Sequence, residues 1–168
     1  MHKPSETALR ARARTLLVAM TDRAKWIYAI PPAKASFVRP LLVAEGMRCE
    51  EEDAAAKVAR FIHDTARASF VIFDSPELSV TFVECQGEDA APWLAKILGK
   101  TGFFAQSALL GTAIDVRDEE APKALRTLAH MVVAWDEDWT DLFLLHLASP
   151  DPVARHEAVA ATCVAAMV

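Results

Sequence analysis

"SFVIFDSPELSVTFVECQGED", residues 69–89, admits two readings, and the fold class turns on the choice between them. As a β-hairpin, Val71 and Phe73 lead into the turn-like run Asp74 to Glu77, and Val80, Thr81, Phe82 and Val83 follow. β-Branched and aromatic side chains suit a pleated surface, and Asp, Ser and Pro favour a turn between two such runs. As a helix, Ser75 would be the N-cap and Pro76 would take the first position, where its missing N–H is not needed. Four of the six residues from Ser79 to Glu84 are β-branched or aromatic, which favours the hairpin. A two-stranded ribbon is marginal on its own, so it is expected to lie on helices.

Upstream, "CEEEDAAAKVARFIHDTARA" (49–68) reads as the clearest early helix. Glu50 to Asp53 suit the positive end of a helix dipole, Val58, Phe61 and Ile62 line one side, and Lys57 and Arg60 lie on the other. Before it, "TDRAKWIYAIPPAKASFVRP" (21–40) carries Pro31, Pro32 and Pro40, which forbid one long helix. It reads as a connection holding short helical turns and anchored by Trp26, Ile27 and Tyr28. The start of the chain predicts a helix from about Ser5, with Leu9, Ala13, Leu16, Leu17 and Met20 at helical spacing and Arg10 and Arg14 sharing the wet face.

Downstream of Asp89, helical periodicity dominates. "APWLAKILGKTGFFAQSALLGTAIDV" (91–116) predicts two helices divided near Gly99 to Gly102, and "DEEAPKALRTLAHMVVAW" (118–135) puts Leu125, Leu128, Ala129 and Val132 on one stripe. Trp139, Leu142, Phe143 and Leu147 form another. In the last segment Val153, Ala160, Val164 and Met167 align.

Composition agrees with closely packed helices. The 168 residues are 53% hydrophobic with five Gly and one Tyr, and Ala dominates the apolar share. Ala costs no side-chain entropy in a helix and lets helix axes approach. The formal charge of −5 is uneven: residues 1–48 carry nine Lys/Arg against three Asp/Glu, and residues 49–168 carry nine against twenty. That overall balance argues against nucleic acid as a partner. No run is apolar for the ~18 residues a membrane span needs. No clear cleavage site follows the first apolar run, and Cys49, Cys85 and Cys163 are far apart and odd in number, so the expected compartment is a reducing cytoplasm.

The stretch "LFLLHLASPDPVARHEAVAAT" (142–162) resembles the HEAT-repeat class of helical hairpins. Leu144, Leu145 and Leu147 end the first helix; Asp151, Pro152, Arg155, Ala158 and Ala161 match the start of the second. Ala154 and Thr162 depart from the usual Val and Leu. The likeness covers about residues 139–163, one unit of the ~40-residue type. It implies a mainly α fold, a small stack of antiparallel helices with a hairpin insertion near 69–85; an irregular helical bundle is the alternative. The chain is expected to be one domain, with a basic N-terminal helix and Pro-rich connection over 1–48, a helix and the ambiguous hairpin over 49–88, and the helical stack over 89–168.

Residues that could carry chemistry are scattered. His63, His130, His146 and His156 show no metal-ligand spacing, and the adjacent pairs His63-Asp64 and His156-Glu157 point apart on a helix. "GKTGFF" (99–104) lacks the upstream glycines of a phosphate loop, and neither Ser75 nor Ser107 sits in a nucleophile elbow. The densest mix of charge and aromatic surface is Trp135, Asp138 and Trp139. With Arg10, Arg14 and Arg155 these make the expected binding surface. No catalytic, cofactor-binding or metal residue is assigned, and no cofactor is expected. The resulting expectation is a non-catalytic protein–protein interaction or adaptor module, whose partner is another protein or a second copy of the chain. A HEAT-like DNA-repair glycosylase or other hydrolase is one alternative; an acidic inhibitor or immunity-like protein aimed at a basic target is another. A basic N-terminal end pairing with the acidic 115–141 region is also physically plausible.

Overall fold

A computed structural model describes residues 25–135 and 137–166. The chain divides into two compact units, one spanning Ala24–Phe104 and one containing Ala105–Val168. The protein is mixed α/β. A five-stranded antiparallel sheet corrects the expectation of a mainly α chain, and with it the HEAT-like and helical-bundle readings of the whole.

In the first unit β1 (Lys25–Ile30) is followed by the short helices α1 (Pro32–Ala35) and α2 (Val38–Ala44), then by β2 (Met47–Asp53), β3 (Val58–His63), β4 (Ser69–Ser75), β5 (Val80–Gln86) and α3 (Ala90–Thr101). The sheet order is β1-β5-β4-β3-β2, every pair antiparallel. β2 to β5 form a meander, and β1 joins at the far edge of β5. The hairpin of residues 69–86 therefore exists, but as two inner strands of a sheet instead of an insertion among helices.

Period-2 alternation builds the core. Cys85, Phe70 and Phe61 are opposite one another across β5, β4 and β3, as are Val83, Ile72 and Ala59. These six side chains are buried and meet Val38 and Leu42 of α2 and Ala90, Leu94 and Ile97 of α3. Fully burying a Phe such as Phe70 stabilises the fold by about 1.5–3 kcal/mol.

The helix expected over 49–68 is instead β2, a turn and β3. Ala54 to Lys57 have high helix propensity, yet Asp53 spends its carboxylate on the turn, where Oδ1 accepts the N–H groups of Ala55 and Ala56, each at 2.9 Å. Lys57 then takes a φ of 56°, which no right-handed helix permits. Tertiary packing of Ala59 and Phe61 decides the outcome over local propensity. β2 escapes recognition because it is an edge strand whose residues after Met47 are all exposed, and charges are a usual guard against edge-to-edge pairing. Arg39 pairs with Glu52 and Arg60 with Glu50 along it. β1, expected as a connection, is a strand because Trp26 to Ile30 are mostly aromatic and branched.

A backbone clamp closes this unit. Gly87, at φ 112°, lies so near the chain that a Cβ would stand 1.8 Å from the carbonyl oxygen of Arg67. Just beyond it, the Asp89 N–H donates to that oxygen at 3.3 Å, and Asp89 Oδ2 accepts the Arg67 N–H at 3.0 Å. Both the contact and the dihedral select glycine.

The second unit holds α4 (Gln106–Ile114), α5 (Ala121–Met131), α6 (Glu137–Leu147) and α7 (Pro152–Ala165). α5 packs on α4 and α7, and α6 on α7 and α4. Leu125, Leu128, Ala129, Val132, Trp139, Leu142 and Phe143 are buried together. On α7 the buried stripe is Ala154, Ala158, Ala161 and Ala165. The alignment of Val153 with Ala160 and Val164 is thus not the packed face, and Val153 is exposed. Asp151 Oδ1 accepts the Val153 N–H at 2.9 Å and starts α7 as an N-cap, with Pro152 in the first turn.

Gly87→Ala should lower the unfolding free energy by more than about 1 kcal/mol, because Arg67 is backbone and cannot yield as a side chain would. Urea unfolding of the full chain measures this; a loss no larger than that of Gly99→Ala, where nothing crowds the added methyl, would contradict it.

Candidate functional site

The expected surface residues fall into different environments. Arg10 and Arg14 lie outside the described residues. Trp139 is buried in the helical core, with its ring 6.4 Å from Phe143. Arg155 turns back on its own loop, where Nη1 donates to the carbonyls of Ser149 and Pro150, each at 2.8 Å. It braces the α6–α7 turn. Asp138 is half-buried in the first turn of α6.

Trp135 alone among the expected aromatics faces solvent, at 45% exposure. Its ring stacks on Phe143 with centroids 5.4 Å apart and planes 11° from parallel, and its Nε1–H donates to Thr140 Oγ1 at 3.1 Å. One indole face is therefore spent on the core and its polar atom is satisfied, leaving the rest of an apolar ring in water.

α6 extends this patch. Its inward positions are Trp139, Leu142, Phe143 and His146; its outward positions are Glu137, Thr140, Asp141, Leu144 and Ala148 just beyond its end. Leu144 is 56% exposed. The helix contains Glu137, Asp138 and Asp141 and no Lys or Arg. The result is an aromatic and aliphatic patch beside the carboxylates that α6 itself carries. Phe37, Val153 and Val159 lack this combination. Phe37 has the Lys34 ammonium 5.8 Å from its ring centroid, and Val153 and Val159 on α7 stand without an aromatic neighbour on that helix.

Sequence reasoning missed how the ionisable groups are used. His146 is fully buried; its Nε2–H donates to the Ala113 carbonyl of α4 at 2.6 Å, and Nδ1 finds no hydrogen-bond partner among the described residues. Burial pushes its pKa down, opposed by the Ala113 bond. His130 on α5 is held down by burial and by the nearby Arg126. Arg126 also donates to Glu157 at 3.0 Å, joining α5 to α7. His63 Nδ1 accepts the Ala66 and Thr65 N–H groups, at 3.0 and 3.3 Å, and its ring stacks on Trp93. Burial, with Glu84 beside it, pushes the Cys85 thiol up to about 12, which leaves it protonated and unreactive at neutral pH. Thr101, in the sequence that tempts a phosphate reading, donates to the Ile97 carbonyl at 2.8 Å as part of the last turn of α3. Among the described residues no group of three His, Cys, Asp or Glu could hold a metal ion.

No protein family matches the chain, and neither a curated protein nor a solved structure is similar enough to count as a match. The likeness of residues 139–163 to a HEAT unit thus gains no support from any family.

The buried His146 and the half-buried His130 predict acid sensitivity. The folded-state pKa of His146 lies below the ordinary 6.5, so the unfolded chain takes up the proton more readily. Its contribution is complete above pH 6.5 and is lost as pH falls from there to the folded value; His130 acts in the same direction. Thermal melts between about pH 7 and 5 should show a shallower loss in His146→Phe than in wild type. Equal slopes would contradict this.

Proposed function

We propose that the protein is a non-catalytic interaction module that binds another protein through the outward face of α6, with Trp135 as the anchor. The observation that carries this reading is the half-exposed Trp135 ring, held rigid by Phe143 and Thr140 and bordered by the exposed side chains of Leu144, Glu137 and Asp141. Tryptophan is enriched among residues that dominate binding energy, and a ring already immobilised loses little entropy on binding. The acidic rim selects a partner presenting an apolar pocket flanked by Lys or Arg, and opposes nucleic acid. His63 and His146, two of the groups suited to acid–base work, are engaged in holding the fold, which favours binding over hydrolysis.

Among the described residues no helix is long and apolar enough to cross a membrane. We assign the module to a reducing cytoplasm, because Cys49 and Cys163 are free thiols on the surface.

Affinity capture from source cells with the full chain as bait tests the proposal. Trp135→Ala and Leu144→Glu should each weaken retention of the same partner, by about 30-fold for the tryptophan if it is worth ~2 kcal/mol. Val159→Glu, on an exposed position of α7, should leave retention unchanged. Circular dichroism checks that each variant is folded. An identical set of captured proteins for all three baits would contradict the assignment of this face.

A further inference from the structure

We infer that the outer side of α1, α2 and α3 is a second contact surface, which seats the sheet unit on an anionic lipid bilayer. Phe37, Val43 and Phe103 enter the headgroup region, and Lys34 and Lys100 meet the lipid phosphates.

The sheet unit segregates its charge by element. α1, α2 and α3 carry Lys34, Arg39, Lys96 and Lys100 and no Asp or Glu, whereas the rest of residues 25–104 carries five Lys/Arg against eleven Asp/Glu. α2 and α3 cover one face of the sheet, because Val38 and Leu42 share a core with Ala90, Leu94 and Ile97. The Lys96 ammonium, 2.5 Å from Glu45 just beyond α2, joins the two helices, and Arg39 pairs with Glu52 of β2. Lys34 and Lys100 are exposed and pair with no carboxylate among the described residues. A cationic layer on an otherwise acidic unit selects an anionic partner.

The apolar groups stand on the same side. With Val38 and Leu42 inward, α2 turns Pro40, Val43 and Ala44 outward, and Phe37 precedes them at helical spacing. Phe37 is 54% and Val43 59% exposed. Past the end of α3, the exposed Phe103 meets Tyr28 edge-on with centroids 5.4 Å apart, and Tyr28 packs against the core under the helices. With Phe104, these are all the large apolar side chains that the sheet unit exposes among its described residues. Each lysine stands three residues before a phenylalanine, Lys34 before Phe37 and Lys100 before Phe103.

That pairing favours a bilayer over an acidic protein. A protein partner would have to offer a separate pocket for each protruding ring, with a carboxylate beside it. A bilayer interface takes an apolar tip without a matching pocket and presents phosphate to the neighbouring ammonium at the same depth. The cytoplasmic leaflet holds the anionic lipids, in agreement with the compartment assigned above. With two such cations and a few apolar tips the binding is peripheral and reversible.

Co-sedimentation of the full chain with vesicles tests the inference, comparing phosphatidylcholine containing about 30% phosphatidylserine with phosphatidylcholine alone. Partition onto the anionic vesicles should be at least about ten-fold stronger. Lys34→Glu and Lys100→Glu should each weaken it about five-fold or more, and Phe37→Ser with Val43→Ser by about as much. Lys34→Arg with Lys100→Arg should retain it, so that the loss follows charge. Arg60→Glu, the same reversal on the opposite face of the sheet, should change it by less than about two-fold. Equal partition onto both kinds of vesicle would overturn the inference, as would a loss in Arg60→Glu as large as that in Lys34→Glu. Retention on poly-glutamate beads without partition onto either vesicle would identify an acidic protein as the occupant and overturn it too.

Discussion

The stack of Trp135 on Phe143 determines what the helical unit shows to its surroundings. Phe143 is buried on the inner side of α6, and Thr140 is one turn away on the outer side. By touching both, the indole bridges the core and the solvent. The same helix places His146 inward, where its bond to Ala113 fixes α6 to α4. Inner contacts therefore set the orientation of the outer face: rotation of α6 by one residue, about 100°, would bury Asp138 and Asp141 and expose Phe143.

α7 serves that arrangement by being thin. Its inner stripe of four alanines gives close approach to its neighbours without large side chains, and the ion pair of Arg126 with Glu157 ties it to α5. Asp151 and Arg155 finish the α6–α7 turn, one satisfying an N–H of the new helix and the other two carbonyls of the loop. In the sheet unit the comparable organising device is the Gly87 contact with Arg67, which locks the β3–β4 connection to the start of α3. Each unit thus has its own core and its own closure.

What was legible in the sequence depends on whether a segment's pattern matched its burial. β4 and β5 could be read because they lie within the sheet and are rich in Val, Phe and Thr. α3 to α7 could be read because their apolar spacing, Gly breaks and Asp-Pro start each act locally. β2 could not, since an exposed edge strand of Glu and Asp carries no apolar alternation. β3 failed because Ala59 is one of its inward residues: a small side chain hides the period of two, while Val58, Phe61 and Ile62 happen to fit a period of 3.6. Missing those two strands, together with β1, turned a mixed fold into a helical one. For the site, the richness of residues 135–141 in Trp and acid was visible, but which tryptophan faces water was not. That choice is made by Phe143 and the core behind it. The bracing of the α6–α7 turn by Arg155 could not be read because its partners are backbone carbonyls, which have no sequence signature.

Nuclear Overhauser contacts of the Trp135 indole N–H in the full chain measure the central feature directly. The account predicts cross-peaks to the Thr140 methyl and the Phe143 ring, together with line broadening of the solvent-facing indole protons on adding a soluble paramagnetic probe. An indole N–H that contacts neither residue, or a ring fully shielded from the probe, would contradict it.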